Sequence, residues 1–388
     1  DSSQRSFKTQ HAFQCYAKAL EDLTDKKGKD VDRVFTQTAI KYSKYSTARH
    51  DTSKVVETLE DALKRAKKIK DRSTQALLEM HIAKNEWLQG NHGNAMTRFD
   101  AGWKIANEVQ DPKLQRSATT FGTFFLYWQG RFKEAVKSYE TYVTDVERYP
   151  KGGFPILATI TLGYCYSQIG QVTQGLGMID AVRAVCLQRE DLNLVTYTAE
   201  NMGCIMADMH KYEEAVSHIK LAEKEATEAN NSWVRITGYL VQSYCYFHLG
   251  EQKKCTRYLK EFLKQRKEVQ ASVNLYPYLL ELLWLIENGK LPAIRNYTLK
   301  QELNRTIRSK NIFMKGVAYR FQALLYKKED ESNKKVTYAL EQSLKWLKES
   351  GHHFQMAETR LEIARNLLKL RKQEEAREAV KKAKVTFS

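Results

Sequence analysis

A glycine returns at a fixed interval along this chain. Gly90, Gly130, Gly170 and Gly250 are separated by forty residues or a multiple of forty, and only His210 departs from the series. Seven residues before each stand Ala83, Thr123, Gly163, Gly203 and Ser243, all small. Five residues after come Ala95, Ala135, Gly175, Ala215 and Cys255, again small. Nine after come Phe99, Tyr139, Ile179, Ile219 and Leu259, all large and apolar or aromatic. Four columns held across five units leave little room for chance, and they exclude most folds at once.

Each column has a physical reading. A glycine supplies the left-handed residue that ends a helix without a Cβ penalty. The two small columns belong to facing sides of antiparallel helices and let their backbones approach. The bulky residue one turn later fills the remaining gap. Each unit is then a helical hairpin, helix A followed by helix B, which must stack on its neighbours to bury its apolar stripe.

The segments "GRFKEAVKSYE" and "HKYEEAVSHIK", with Phe132 and Tyr212 in the aromatic position, resemble the centre of the tetratricopeptide repeat. The period is longer than that family's usual one, and the proline that commonly ends its repeats is mostly missing. Lengthened repeats of this style are similar to those in regulatory regions of large bacterial signalling ATPases, kinases and transcription activators. The resemblance implies an all-α fold: a right-handed superhelix of about eight to nine stacked antiparallel hairpins.

The organisation expected is a partial or capping helix over residues 1–30 and regular repeats over 31–270. An irregular helix and a proline-bearing break follow over 271–310, then two further basic hairpins over 311–388. The first helix reads as the second half of a repeat, so the chain reads as a piece of a longer protein. The longest apolar run, "YLLELLWLI", is interrupted by Glu281 and is too short to cross a bilayer. No membrane contact is expected. The six cysteines lack metal-ligand spacing and read as small buried residues of a reducing, cytoplasmic compartment.

No catalytic, metal or cofactor motif is present: no phosphate-binding loop, no paired-histidine zinc helix, no nucleophile elbow. "GHHF" at Gly351 reads as a cap on the preceding helix. The chain is therefore expected to be non-enzymatic, without cofactor or metal.

What remains is surface. In stacked hairpins the A helices line the concave side, and positions one and four after their small column face it. Those positions supply Trp87, Phe124, Tyr127, Tyr164, Tyr244 and Phe247, with Tyr197 two turns earlier on the same face. They are expected to form a partner-binding ribbon for a protein or peptide, since contiguous exposed rings favour a covering partner. The lysine-and-asparagine clamp that some tetratricopeptide domains use on a terminal carboxylate is absent; only Lys84 fits it. Net charge is +17, and residues 291–388 hold 22 Lys and Arg against 11 Asp and Glu. That basic quarter suits an acidic partner. The expectation is a sensor or regulatory interaction module of a larger signalling or transcription-regulating protein. The alternative is a small effector or nucleic acid bound by the rings and the basic quarter.

Overall fold

The computed structural model describes residues 9–45, 52–144, 156–229, 231–268 and 276–387. Among these the chain forms nineteen helices and no strand. The first three are α1 (Thr9–Leu23), α2 (Lys29–Tyr45) and α3 (Thr52–Lys68). Five hairpins follow: α4 (Arg72–Leu88) with α5 (His92–Val109), α6 (Pro112–Trp128) with α7 (Phe132–Thr144), α8 (Ile156–Gln168) with α9 (Val172–Gln188), α10 (Leu192–Asp208) with α11 (Tyr212–Glu228), and α12 (Ser232–His248) with α13 (Gln252–Glu268). The remainder are α14 (Tyr278–Glu287), α15 (Leu299–Ile307), α16 (Ile312–Lys328), α17 (Asn333–Ser350), α18 (His353–Lys369) and α19 (Gln373–Phe387).

The forty-residue phase survives beyond the five strict units. After the irregular stretch between Glu287 and Leu299, α16 and α18 begin at Ile312 and His353, close to where the count from Arg72 places them. The corners explain why. Left-handed residues recur about every twenty positions: Lys70, Gly90, Gln110, Gly130, Gly170, Glu190, His210, Gly250, Gly289, Asp330, Gly351 and Arg371. His210, the exception in the glycine column, adopts φ 61° and closes its helix with the same bonds as the glycines. Its N–H donates to Ala207 O at 3.0 Å, and the Lys211 N–H to Met206 O at 2.9 Å.

The small columns do what their spacing predicts. A Cβ on Gly203 would stand 2.6 Å from Ile219 side-chain carbons, and one on Gly163 2.6 Å from Ile179 Cγ1 and 2.8 Å from Gly175 O. Ser243 adds a bond, its hydroxyl donating to Cys255 O at 2.9 Å. Five cysteines are buried, but Cys15 is exposed, because its place on α1 faces no neighbouring helix closely enough to cover it. "GHHF" divides its work differently from the sequence expectation. Gly351, φ 84°, ends α17, while His352 caps the following helix, its Nδ1 accepting from the Gln355 N–H at 3.4 Å. Burial pushes the His352 imidazole down to about 3, so it is neutral and free to accept there.

Successive A helices (α4, α6, α8, α10, α12, α14, α16) lie against one another, whereas the B helices α5, α7, α9 and α11 each pack between their flanking A helices. The A helices are therefore the inner layer. The coil then meets itself. Asn311 Nδ2 donates to Trp128 O at 3.1 Å across 183 positions of sequence, and the Ile312 N–H donates to Gln129 O at 2.8 Å. Arg131 pairs with Glu349 at 3.1 Å. Phe313 stacks on His352 at 4.3 Å and lies 5.4 Å from Phe132. One buried core runs from Ala83 to Leu347 as a result. No described helix is long and apolar enough to cross a membrane.

Candidate functional site

The inner layer presents rings, but not as an open ribbon. Trp87 (1% exposed), Tyr127 (8%), Tyr164 (1%) and Tyr244 (5%) are buried, and Phe124, Tyr197 and Phe247 are half-buried. Tyr127 meets Tyr164 edge-on at 5.7 Å. Phe124 lies 6.0 Å beneath the Lys84 ammonium and packs on Phe125 and Trp128. Trp87 turns to His92 and Phe125 in its own and the next hairpin. Tyr197 packs among Ile160, Val182 and Val195, and Phe247 neighbours His248. The equivalence in register is thus real, while direct contact joins only some members.

Two residues that the periodic argument did not select complete the set. Tyr276 lies 6.1 Å from Tyr164, and Tyr278 stacks on Tyr244 at 4.5 Å; the two stack on each other at 6.0 Å. They enter from the start of α14, where "YPY" interrupts the repeat, and they cover the rings the columns predicted. Burial raises the phenols of Tyr127, Tyr164, Tyr244, Tyr276 and Tyr278 well above their ordinary value, so all are neutral.

Carboxylates are the second unselected element. Asp208 accepts from the Tyr278 hydroxyl at 2.8 Å and from Gln168 Nε2 at 2.9 Å. Burial lifts its carboxyl to about 6 despite those donors. Burial pushes the Glu200 carboxyl up to about 8. The sequence did carry a signal. Glu200 stands in a column otherwise filled by Met80, Thr120, Ile160 and Leu240, none of them charged.

Several buried polar atoms of the A helices have no hydrogen-bond partner within the chain. They are Trp87 Nε1 on α4, Tyr164 Oη and Gln168 Oε1 on α8, Glu200 Oε1 and Asn201 Oδ1 on α10, and Gln242 Oε1 on α12. Each such atom costs about 1–3 kcal/mol when buried unsatisfied. Among the described residues no group of three or more His, Cys, Asp or Glu side chains is placed to hold a metal ion.

Comparison with known solved structures decides the fold. A Rap protein complexed with competence and sporulation factor superposes with TM-score 0.59 at 14% identity, covering 98% of this chain and 99% of that one. The fold is a tetratricopeptide-type helical repeat. The Rap conjugation gene regulator of the plasmid pLS20, in complex with the Phr* peptide, gives TM-score 0.55 at 14% identity over 92% of this chain and 95% of that one. Comparison with protein families and with curated proteins gives no match.

Proposed function

We propose that this repeat array is a non-enzymatic regulatory module that binds a peptide or an extended protein segment along its inner, A-helix face. The observation that carries this reading is the set of unpartnered buried groups on α4, α8, α10 and α12. They include donors (the Trp87 and Tyr164 N–H and O–H) and acceptors (the amide oxygens of Gln168, Asn201 and Gln242). A peptide backbone offers alternating N–H and C=O groups and can satisfy both kinds; the surrounding rings suit its side chains. The two superposable solved structures were captured with competence and sporulation factor and with the Phr* peptide, which agrees with this use of the fold.

The rings assigned to the partner are Trp87, Phe124, Tyr127, Tyr164, Tyr197, Tyr244 and Phe247, joined now by Tyr276 and Tyr278. Since Tyr276 and Tyr278 cover Tyr164 and Tyr244, binding requires the start of α14 to shift or to be part of the surface the peptide meets. Nucleic acid is the weaker reading. Asp208 stands in the inner layer, where its carboxylate opposes a polyanion, and many C-terminal lysines and arginines are already paired with Glu331, Glu358, Glu362, Glu374, Glu375 and Glu378.

The test is affinity selection from a pool of random synthetic hexapeptides at two ionic strengths. Retention of a defined subset, changing little between low and moderate salt, is expected. Retention only of oligonucleotides, with the steep salt dependence of counterion release, would replace this reading with the alternative.

A further inference from the structure

The corners that close α4, α6 and α8 carry Gly90, Gly130 and Gly170, and a later part of the chain returns to them. That part is the segment leading into α16 and the corner between α17 and α18. The approach leaves no room for a side chain. A Cβ on Gly130 would overlap Asn311 Oδ1 and Phe313 Cβ. One on Gly170 would stand 2.9 Å from His353 Nδ1, and one on Gly351 2.8 Å from Lys133 Cβ. At the first corner Lys310 comes near enough to His92 for its charge to act on the ring. Gly250, at the equivalent corner after α12, has nothing within 4 Å, so the crowding belongs to this seam and not to the repeat.

Three histidines line the seam: His92 on one side, His352 and His353 on the other. His352 is fully buried, stacked on Phe313 at 4.3 Å with Phe132 at 5.9 Å. Its Nδ1 accepts from the Gln355 N–H, so its proton sits on Nε2, which has no partner in the chain. His92 Nε2 is likewise buried without a partner. The cations around these rings are Arg131 and Lys133 at the α6–α7 corner, Lys310, Lys315 and Arg320 before and on α16, and Arg360 on α18. The carboxylates are Glu134 and Glu349, both paired with Arg131, and Glu358, 3.8 Å from Arg320; none of them pairs with an imidazole. Burial first, then a nearby cation (Lys310 for His92, Arg320 for His352, Arg360 for His353), lowers all three imidazoles, His352 to about 3.

We infer that this seam is an acid-sensitive clasp, which releases the α16–α18 segment from the α4, α6 and α8 corners when its histidines take up protons. Once exposed by release, each imidazole returns to its ordinary value near 6.5 and binds a proton that the closed seam refuses. The closed seam is therefore fully favoured above about pH 6.5 and loses ground as pH falls toward the value that His352 holds within it. At pH 5 the His352 ring alone biases the equilibrium about thirtyfold toward release. A proton on its Nδ1 also ends the bond to Gln355 that caps α18. The clasp adjoins the inner rings, since Phe132 lies 5.9 Å from Tyr164. Release thus loosens one wall of the proposed binding face, while the clasp itself does not depend on peptide binding.

Small-angle X-ray scattering and far-UV circular dichroism of the whole protein, titrated together from about pH 7.5 to about pH 4.5, test the clasp. The radius of gyration is expected to rise between about pH 6 and about pH 5 while the helical signal holds, with a steepness of more than one proton. Hydrogen exchange supplies a local readout: the Ile312 amide, bonded to Gln129 O across the seam, should lose protection there while the amides of α10 keep theirs. His352→Asn retains a capping oxygen for the Gln355 N–H but cannot take a charge, so it should move the midpoint down by about half a pH unit or more. His353→Gln should move it in the same direction, and it carries the test alone if the buried substitution fails to fold. His218→Gln is the control: that ring is also partly buried and lowered, by burial and then Arg183, but it lies on α11 away from the seam and should leave the midpoint in place. No expansion down to about pH 4.5, helix lost in step with the expansion, a midpoint that neither seam variant moves, or an equal shift from His218→Gln overturns the clasp.

Discussion

Gly203→Ala tests the contact on which every hairpin is built. A methyl there would stand 2.6 Å from Ile219 Cδ1 and Cγ1 and 3.2 Å from Ala215 O, against an ordinary carbon–carbon contact of about 3.5–4.0 Å. Relief demands a shift of roughly 1 Å between α10 and α11 in a close-packed core, a perturbation that costs about 1–3 kcal/mol. Alanine recovers about 1 kcal/mol of helix propensity, leaving a net loss of about 0–2 kcal/mol. Gly177→Ala is the control: it lies exposed in α9 with nothing within 4 Å of its would-be Cβ, so it should stabilise by about 0.5–1 kcal/mol. Ile219→Ala alone should cost about 2–5 kcal/mol, but in the double variant the added methyl enters the space vacated. Urea denaturation of all four proteins gives the coupling, expected at 1 kcal/mol or more in favour of the pair. Additivity within about 0.5 kcal/mol would refute the claim that this column is small because of this contact.

Glu200, raised by burial to about 8, keeps in the folded chain a proton that the unfolded chain loses near 4.5. Its contribution to stability is therefore full below about pH 4.5 and is lost as pH rises through 8, and Glu200→Gln should gain on the natural protein by roughly 1–3 kcal/mol between pH 5 and 8 in urea midpoints; a pH-independent difference would contradict the burial. Tyr164→Phe removes only a hydroxyl without a partner in the chain, so the Tm should hold or rise while peptide affinity falls by about 0.5–1.5 kcal/mol in calorimetry. Glu190→Gly and Arg371→Gly, at exposed left-handed positions (φ 55° and 60°), should each raise stability by up to about 1 kcal/mol, and Gly250→Ala, with open space around it but φ 77°, should lower it by a similar amount in the same melts.

The hairpins were legible because their contact is local and periodic. Gly203 and Ile219 are sixteen residues apart, and the same pair recurs as Gly163 and Ile179. The helix-closing backbone was less legible, because it does not require glycine. His210, Glu190 and Asp330 adopt the left-handed conformation at a modest cost that the packed helices offset. Least legible was the covering of the inner rings. The columns place Tyr127, Tyr164 and Tyr244 on successive A helices, yet nothing periodic says that Tyr276 and Tyr278 lie on them. Nor does it say that Asn311 meets Trp128 across the coil. Such contacts depend on the curvature accumulated over several repeats, a sum of small packing angles that no single repeat encodes. Glu200 announced itself only as an acid in an apolar column.

The most direct measurement of the central claim is a crosslinking map. Retained hexapeptides are resynthesised with a photoreactive phenylalanine analogue, irradiated on the protein, and the attachment sites read by mass spectrometry. The account predicts attachment on the A helices, at or beside Tyr127, Tyr164, Tyr244 and the Tyr276–Tyr278 segment, reduced by excess unlabelled peptide. Attachment confined to the B helices or to the basic helices α17 and α19 would contradict it.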